Sequence, residues 1–382
     1  MIEIENENFK LIGLDPGWSN RLCIQLFEKL DGLFQRYIYF EDRSYYLVSS
    51  IYVLLTHLYP IFDEVPYLSI SGLLGSGKSR LGEIFEGTSF NPTNSSDCTA
   101  ASLYRMIDKG EMTLVIDEAE DLSHLKRDVL LNILRSGYRR NGKVVRCDNG
   151  EPREFPTFCP KIIINQGGLI DPALESRTIP ILMIKSQNHL ETFRSAKVGA
   201  EFKEIKDLIA LFVQGYGHII SETYLSFQGV EGLENRDLEV WTPIIIIAEI
   251  LDSAIPDSSI RSQVLELARR IIAQRRRRQL IENRDAQILE ATRTFIEQTT
   301  PVPKDGKDYY VGEQLCKFIR DQWDIPGLKT ERVSRALNCH NIIKDIQRFH
   351  LKIRENGSSK TIQKSCYQLD RERLNELTRD YF

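Results

Sequence analysis

No two of the seven cysteines (Cys23, Cys98, Cys147, Cys159, Cys316, Cys339, Cys366) stand in a C-x-x-C pair, and most lie within apolar segments. That pattern excludes a disulfide framework and a cysteine metal site, and suits reduced thiols. His57, His124 and His340 have no ligand-like spacing either. The most apolar run, Ile244 to Leu251, is interrupted by Glu249 and is far too short to span a bilayer. The first ten residues, MIEIENENFK, are acidic and polar and do not form a signal peptide, so a cytoplasmic location without membrane partners is expected. Internal repeats are absent, and the run Arg275 to Arg278 is the one low-complexity tract. At 382 residues the chain has room for two or three domains, each with its own core.

What is present begins with a charge asymmetry. Residues 261 to 382 hold 25 basic and 17 acidic residues, a balance of +8, which leaves −12 for residues 1 to 260. A basic C-terminal part on an acidic body is a reason to consider nucleic acid, although many solvated helices carry such a bias. Residues 43 to 59 are apolar enough for a buried helix. VPYLSIS (65 to 71) reads as a buried strand and SRLGEIFEG (79 to 87) as the helix after it. TLVIDEAE (113 to 120), PKIIINQ (160 to 166) and RTIPILMI (177 to 184) read as further strands, and a helix fills the stretch to about Arg140. Residues 143 to 157 read as a hairpin around Asn149-Gly150. Strands alternating with helices predict a mostly parallel α/β sheet with its ligand at the strand C-terminal ends. Residues 190 to 290 read as helical, divided with the help of Pro243 and Pro256.

Between the first strand and its helix lies Gly72-Leu-Leu-Gly75-Ser76-Gly77-Lys78-Ser79, which fits the G-x-x-x-x-G-K-[ST] phosphate loop. Gly72, Gly75 and Gly77 let backbone N–H groups, with that of Ser76, turn inward around phosphates. Lys78 neutralises the β- and γ-oxygens, and the Ser79 hydroxyl is a ligand for Mg²⁺. Asp117 and Glu118 end the second strand, where Asp117 would hold the metal's hydration shell and Glu118 would polarise an attacking water. Asn165 ends the third strand where its amide would face the γ-phosphate; a turn-forming Asn before Gly167-Gly168 is the competing reading. Arg177 begins the next strand and could reach across a subunit boundary as an arginine finger, whereas an Arg there is otherwise a surface residue.

The order of these parts resembles an AAA+ ATPase: Walker A at 72 to 79, Walker B at 113 to 118, sensor 1 at Asn165, then Arg177. More narrowly, THLYPIFDEVPYLSISGLLGSGKSRL, LRSGYRRNGKVVRCD, REFPTFCPKIII, ESRTIPI and DLEVWTPIIIIAE resemble an uncharacterised ATPase family of phages and mobile elements. Its members are often fused to, or lie near, primase and helicase modules. That resemblance covers roughly residues 45 to 255. The chain is also similar to minichromosome maintenance (MCM) helicases: Ser176-Arg177-Thr178 stands where their arginine finger lies, and Arg236-Asp-Leu238-Glu239 matches their sensor 2 helix. It departs from them in having no large N-terminal DNA-binding and zinc-binding domain, which argues against autonomous origin melting. The hairpin at 143 to 157 stands where the resemblance implies a presensor-1 hairpin that projects into a ring's pore. Lys143, Arg146 and Arg153 would then meet a DNA backbone, although Asp148, Glu151 and Glu154 bring the local charge near zero and a hairpin that packs subunits together fits equally.

ARRIIAQRRRRQL (268 to 280) places six arginines around a helix, either on a solvated lid or against anions. Residues 309 to 382 read as helices followed by a hairpin, LKIRENGSSKTIQKSCYQL, which suggests a winged helix. TERVSRALN (330 to 338) would be its recognition helix. Arg332 and Arg335, with Lys352, Arg354 and Lys360 of the wing, would form a phosphate-binding face, and a protein adaptor is the competing role.

The expected fold is therefore α/β: an AAA+ P-loop three-layer αβα domain with a helical lid, then a winged-helix domain. Its parts are an N-terminal segment and helix (1–64), an ATPase core (65–188), a lid with the basic helix (189–298), a linker (299–308) and the winged helix (309–382). The resemblance implies an ATPase with ATP and Mg²⁺ as cofactors. Its form would be a homo-oligomer, a hexameric ring, acting on single-stranded DNA as a helicase or translocase, with primase or other replication proteins as further partners. The alternatives are a nucleotide-switched loader, initiator or defence regulator, a non-hydrolytic binding module and, more remotely, a nucleotide kinase.

Overall fold

In the computed structural model, the described residues are 16–94, 100–117, 124–148, 150–167, 171–186, 189–355 and 358–379. They form two compact units, Met1–Ile271 and Ile272–Phe382.

The first unit opens with helices α1 (Pro16–Tyr37) and α2 (Ser44–Leu58). Strand β1 (Tyr67–Gly72) then enters helix α3 (Lys78–Thr88), followed by β2 (Pro92–Asn94), α4 (Ala100–Asp108), β3 (Thr113–Ile116) and α5 (His124–Ser136). A hairpin of β4 (Lys143–Asp148) and β5 (Glu151–Pro156) precedes β6 (Lys161–Asn165), the short turn α6 (Pro172–Glu175) and β7 (Thr178–Met183). Long helices α7 (Ser195–Ser226) and α8 (Asn235–Ala254) lead to α9 (Ile260–Glu282), which runs across the boundary of the two units.

β2, β3, β6, β1 and β7 form a parallel sheet in that order. Its central strands β3, β6 and β1 are buried on both faces, as a sheet covered by helices requires. On one face Tyr67, Leu114 and Ile163 pack with Tyr104 of α4 and Ile133 of α5. On the other, Leu68, Ile70, Ile162 and Ile164 are fully buried or nearly so, and α3 lies close enough for a Cβ at Gly82 to fall 2.7 Å from Ile164. Phe85 of α3 meets Phe34 of α1 and Tyr52 of α2, and α7 and α8 pack on the same helices. The helices α7 and α8, expected as a lid, fall with the N-terminal helices in the first unit. Pro243 does not end a helix either. It lies inside α8, where Trp241 and Ile244 to Ile247 are wholly buried and tertiary packing outweighs the lost backbone hydrogen bond.

Lys161 is fully buried at the start of β6. Its ammonium donates to the carbonyls of Gly137, Thr157 and Cys159 and lies 4.8 Å over the Tyr67 ring, while burial lowers its pKa. A cation so enclosed survives because each of its donors is satisfied.

The second unit contains α10 (Arg284–Gln298), capped by the Asn283 side chain, then β8 (Val302–Lys304), β9 (Lys307–Val311), α11 (Gly312–Trp323) and α12 (Thr330–Cys339). A long hairpin of β10 (Ile343–Glu355) and β11 (Ser358–Leu369) and helix α13 (Arg371–Arg379) complete it. Ile288 and Phe295 of α10 share a core with Leu315, Val333 and Leu374, so α10 belongs here and not to a lid. Residues 299–308 are not a linker: β8 and β9 form a hairpin whose turn uses Asp305 and Gly306 at positive φ, and β9 pairs with β11. No helix among the described residues is long and apolar enough to cross a membrane.

Candidate nucleotide site

The loop after β1 is shaped by contacts that admit no side chain. A Cβ on Gly72 would stand 2.3 Å from the Met183 carbonyl oxygen of the adjacent β7, and Gly77 enters α3 at a φ of 95°. Gly77 offers no side-chain cap, so the first N–H groups of α3 are open to an anion, reinforced by the helix dipole. The Lys78 ammonium donates to the carbonyls of Gly72 at 2.5 Å and Leu73 at 3.2 Å, which holds it over the loop.

Strand order does the rest. β3, β6 and β1 are neighbours, so their C-terminal ends converge: Asp117 follows β3, Asn165 ends β6 in register with Ser71 of β1, and the loop follows Gly72. Gly75, Ser76, Gly77, Lys78, Ser79, Asp117 and Asn165 thus line one cleft of about 340 Å³, joined by Arg80 and Gln166. The buried Ser76 hydroxyl has no hydrogen-bond partner among the described residues. An unsatisfied hydroxyl, uncapped N–H groups and a lysine together fit a polyphosphate, and Ser79 with Asp117 supplies the hard oxygen donors that Mg²⁺ prefers. Glu118 lies outside the described residues.

Arg177 and Arg236 are placed elsewhere. β7 runs parallel to β1 with Thr178 beside Tyr67 and Met183 beside Gly72, so Arg177 stands at the opposite strand ends, about 20 Å of strand from the loop. Arg236 joins it there by donating to Ser176 Oγ at 2.9 Å. Arg177 lies 4.8 Å over the Tyr138 ring and donates to the Ala173 carbonyl, and its Nε is buried without a hydrogen-bond partner among the described residues. Burial first, and Arg236 second, lower its pKa. Neither arginine is ion-paired among the described residues. Tyr138 belongs to no sequence motif, because its role depends on the chain after α5 meeting Arg177 at the start of β7.

The candidate nucleic-acid residues fall into two sets. On the hairpin, Lys143 pairs with Glu154 at 2.6 Å and Arg153 with Asp108 at 2.7 Å, while Arg146 donates to the Val145 carbonyl. In the second unit Arg332 is tied to Asp285. Arg335 on α12 and Lys352 on β10 are exposed, and the side chain of Arg354 is outside the described set. Arg348 and Lys352 occur at alternate positions of β10 with Ile346, which shares a groove with Arg335. Arg348 escaped the sequence reading because that face is defined only once β10 is seen to pair along its length with β11.

No family model matches the chain, and no curated protein matches it. Among solved structures it is similar to one described as "SCCmec type IV Cch - active helicase", at 12% identity and a TM-score of 0.37. That similarity covers 88% of this chain and 66% of the other, so the chain spans just under two thirds of its neighbour's length, and a likeness this remote carries no argument.

Proposed function

We propose that the chain is an AAA+ ATPase that binds ATP with Mg²⁺, hydrolyses it in a hexameric ring and drives a helicase or translocase acting on DNA, in phage or mobile-element replication. The second unit would serve as a winged helix. The observation that carries this reading is the division of the hydrolytic groups: Lys78, Ser79, Asp117 and Asn165 line one cleft, while Arg177 and Arg236 meet at the far strand ends. A chain cannot fold these arginines onto its own cleft, but a head-to-tail neighbour can present them, and repetition of that contact closes a ring.

In the shared site Lys78 and the loop N–H groups would hold the phosphates, and Ser79 and Asp117 would hold Mg²⁺, which when bound neutralises the β- and γ-oxygens. Glu118 would take a proton from water as its oxygen bonds to the γ-phosphorus and the bond to the β-phosphate oxygen breaks, releasing ADP and phosphate. Asn165 would orient that water. The partner's Arg177 and Arg236 would stabilise charge that grows only in the transition state.

A second reading, a nucleotide-switched loader, initiator or regulator that does not translocate, is favoured by the ion pairs that occupy Lys143 and Arg153 on the hairpin. Steady-state ATP hydrolysis, with and without single-stranded DNA and across protein concentration, separates the two. Turnover that rises with both, and falls about 10²-fold or more in Glu118→Gln with ATP still bound, supports the motor. Turnover indifferent to DNA moves the reading to the switch, and undiminished turnover in Glu118→Gln removes its assigned role.

A further inference from the structure

Arg80 directly follows the phosphate-loop serine and lines the cleft, yet its charge has no place in the phosphate cradle described above. Its guanidinium lies 4.0 Å from the centre of the Phe193 ring, and its edge is paired with Glu83 one turn along α3. Phe193 is held in turn. Its ring meets Tyr37 edge-on at 5.2 Å and packs against Phe202 at 6.3 Å, and the segment carrying it is anchored by the Glu191 N–H on the Arg36 carbonyl. The guanidinium plane is thus fixed from below and along one edge. Its side chain nevertheless keeps 36% of its accessibility at the rim of the cleft.

The geometry points to Arg80 and Phe193 as the base subsite of this cleft: a purine stacks on the open face of the Arg80 guanidinium, whose other face rests on Phe193. The inference rests on the nucleotide reading and adds the end of the ligand that the glycine loop does not touch. A triphosphate seated over Lys78 and Ser79 leads its nucleoside out past the first turn of α3, which is where Arg80 stands. Planar guanidinium stacks on π-faces, and an ammonium does not reproduce this. Stacking scales with ring area and ignores hydrogen-bond pattern, so the subsite prefers purines to pyrimidines and distinguishes adenine from guanine weakly.

Titration calorimetry on the full chain, with Mg²⁺, using ATP and inorganic tripolyphosphate as probes, tests this. Arg80→Lys keeps the charge and removes the planar stack; it should weaken ATP binding about ten-fold and leave tripolyphosphate binding unchanged. Phe193→Leu, which keeps apolar bulk, should lower ATP affinity in the same selective way. An unchanged ratio of ATP to tripolyphosphate affinity in both variants overturns the base subsite, as do equal losses on both probes, which would assign Arg80 to phosphate. A wild-type chain that binds neither probe overturns the nucleotide reading and the subsite with it.

Discussion

The guanidinium of Arg177 lies 4.8 Å from the centre of the Tyr138 ring, at the strand ends opposite the phosphate loop. Arg139 approaches the same ring at 5.2 Å and is tied to Glu239 at 2.8 Å and Glu64 at 3.5 Å. Lys161 holds the carbonyl of Gly137, the residue before the ring, and Val65 N–H holds that of Tyr138 itself at 2.8 Å. Tyr138 is thus fixed beneath an arginine that forms no close ion pair among the described residues, although Asp171 attracts it from further away. In the proposed shared site, such preorganisation would place a cation before charge develops on a neighbour's phosphate.

A cation–π contact of this kind is worth about 0.5–2 kcal/mol. Tyr138→Leu should therefore lower the rate of ATP hydrolysis about ten-fold and leave nucleotide affinity unchanged, while Tyr138→Phe, which keeps the ring, should retain most activity. Measured kcat and KM decide it: equal loss in both variants removes the ring's role.

On the β4–β5 hairpin the three basic residues are not equivalent. Lys143 and Arg153 are paired with carboxylates, and Arg146 forms no ion pair among the described residues. If the hairpin meets a DNA backbone, Arg146→Ala should cost more DNA-stimulated turnover than Lys143→Ala or Arg153→Ala. It should also reduce the salt dependence of binding by about one unit of slope. Equal effects from all three contradict this ranking.

The second unit separates its arginines in the same way. Arg332 is committed to Asp285, a half-exposed pair worth about 0.5–1 kcal/mol after solvent screening, whereas Arg348 is exposed. Arg332→Ala should lower thermal stability slightly without changing DNA affinity. Arg348→Ala should weaken DNA binding across sequences and lower its salt slope by about one, with stability unchanged. Paired melting and binding curves would expose the reverse pattern.

The parts legible in the sequence were those whose signal is local. The glycine spacing of 72 to 77 encodes its own turn, and the runs around Tyr67, Thr113, Lys161 and Thr178 are short and apolar on both faces, as central parallel strands are. Local signals misled where packing decided the outcome. Pro243 would break an isolated helix but is carried within α8 by a wholly buried isoleucine run. The prolines around residue 302 have a linker's composition, yet Asp305-Gly306 is also a hairpin turn, and pairing of β9 with β11 makes it one. Helix α1, and the approach of Arg236 to Ser176 across 60 residues, depend on the assembled body and had no motif to announce them.

If each hydrolytic site is completed by a second chain, mixing two inactive variants should restore turnover. Lys78→Ala keeps Arg177 but loses its own phosphate site; Arg177→Ala keeps the phosphate site but offers nothing to its neighbour. Each alone should lack turnover, with Arg177→Ala still binding ATP. An equal mixture allowed to reassemble should recover about a quarter of the wild-type sites, those where the two intact halves meet across a heterologous interface. No recovery from a mixture shown to co-assemble, or full activity in Arg177→Ala alone, would contradict the shared site.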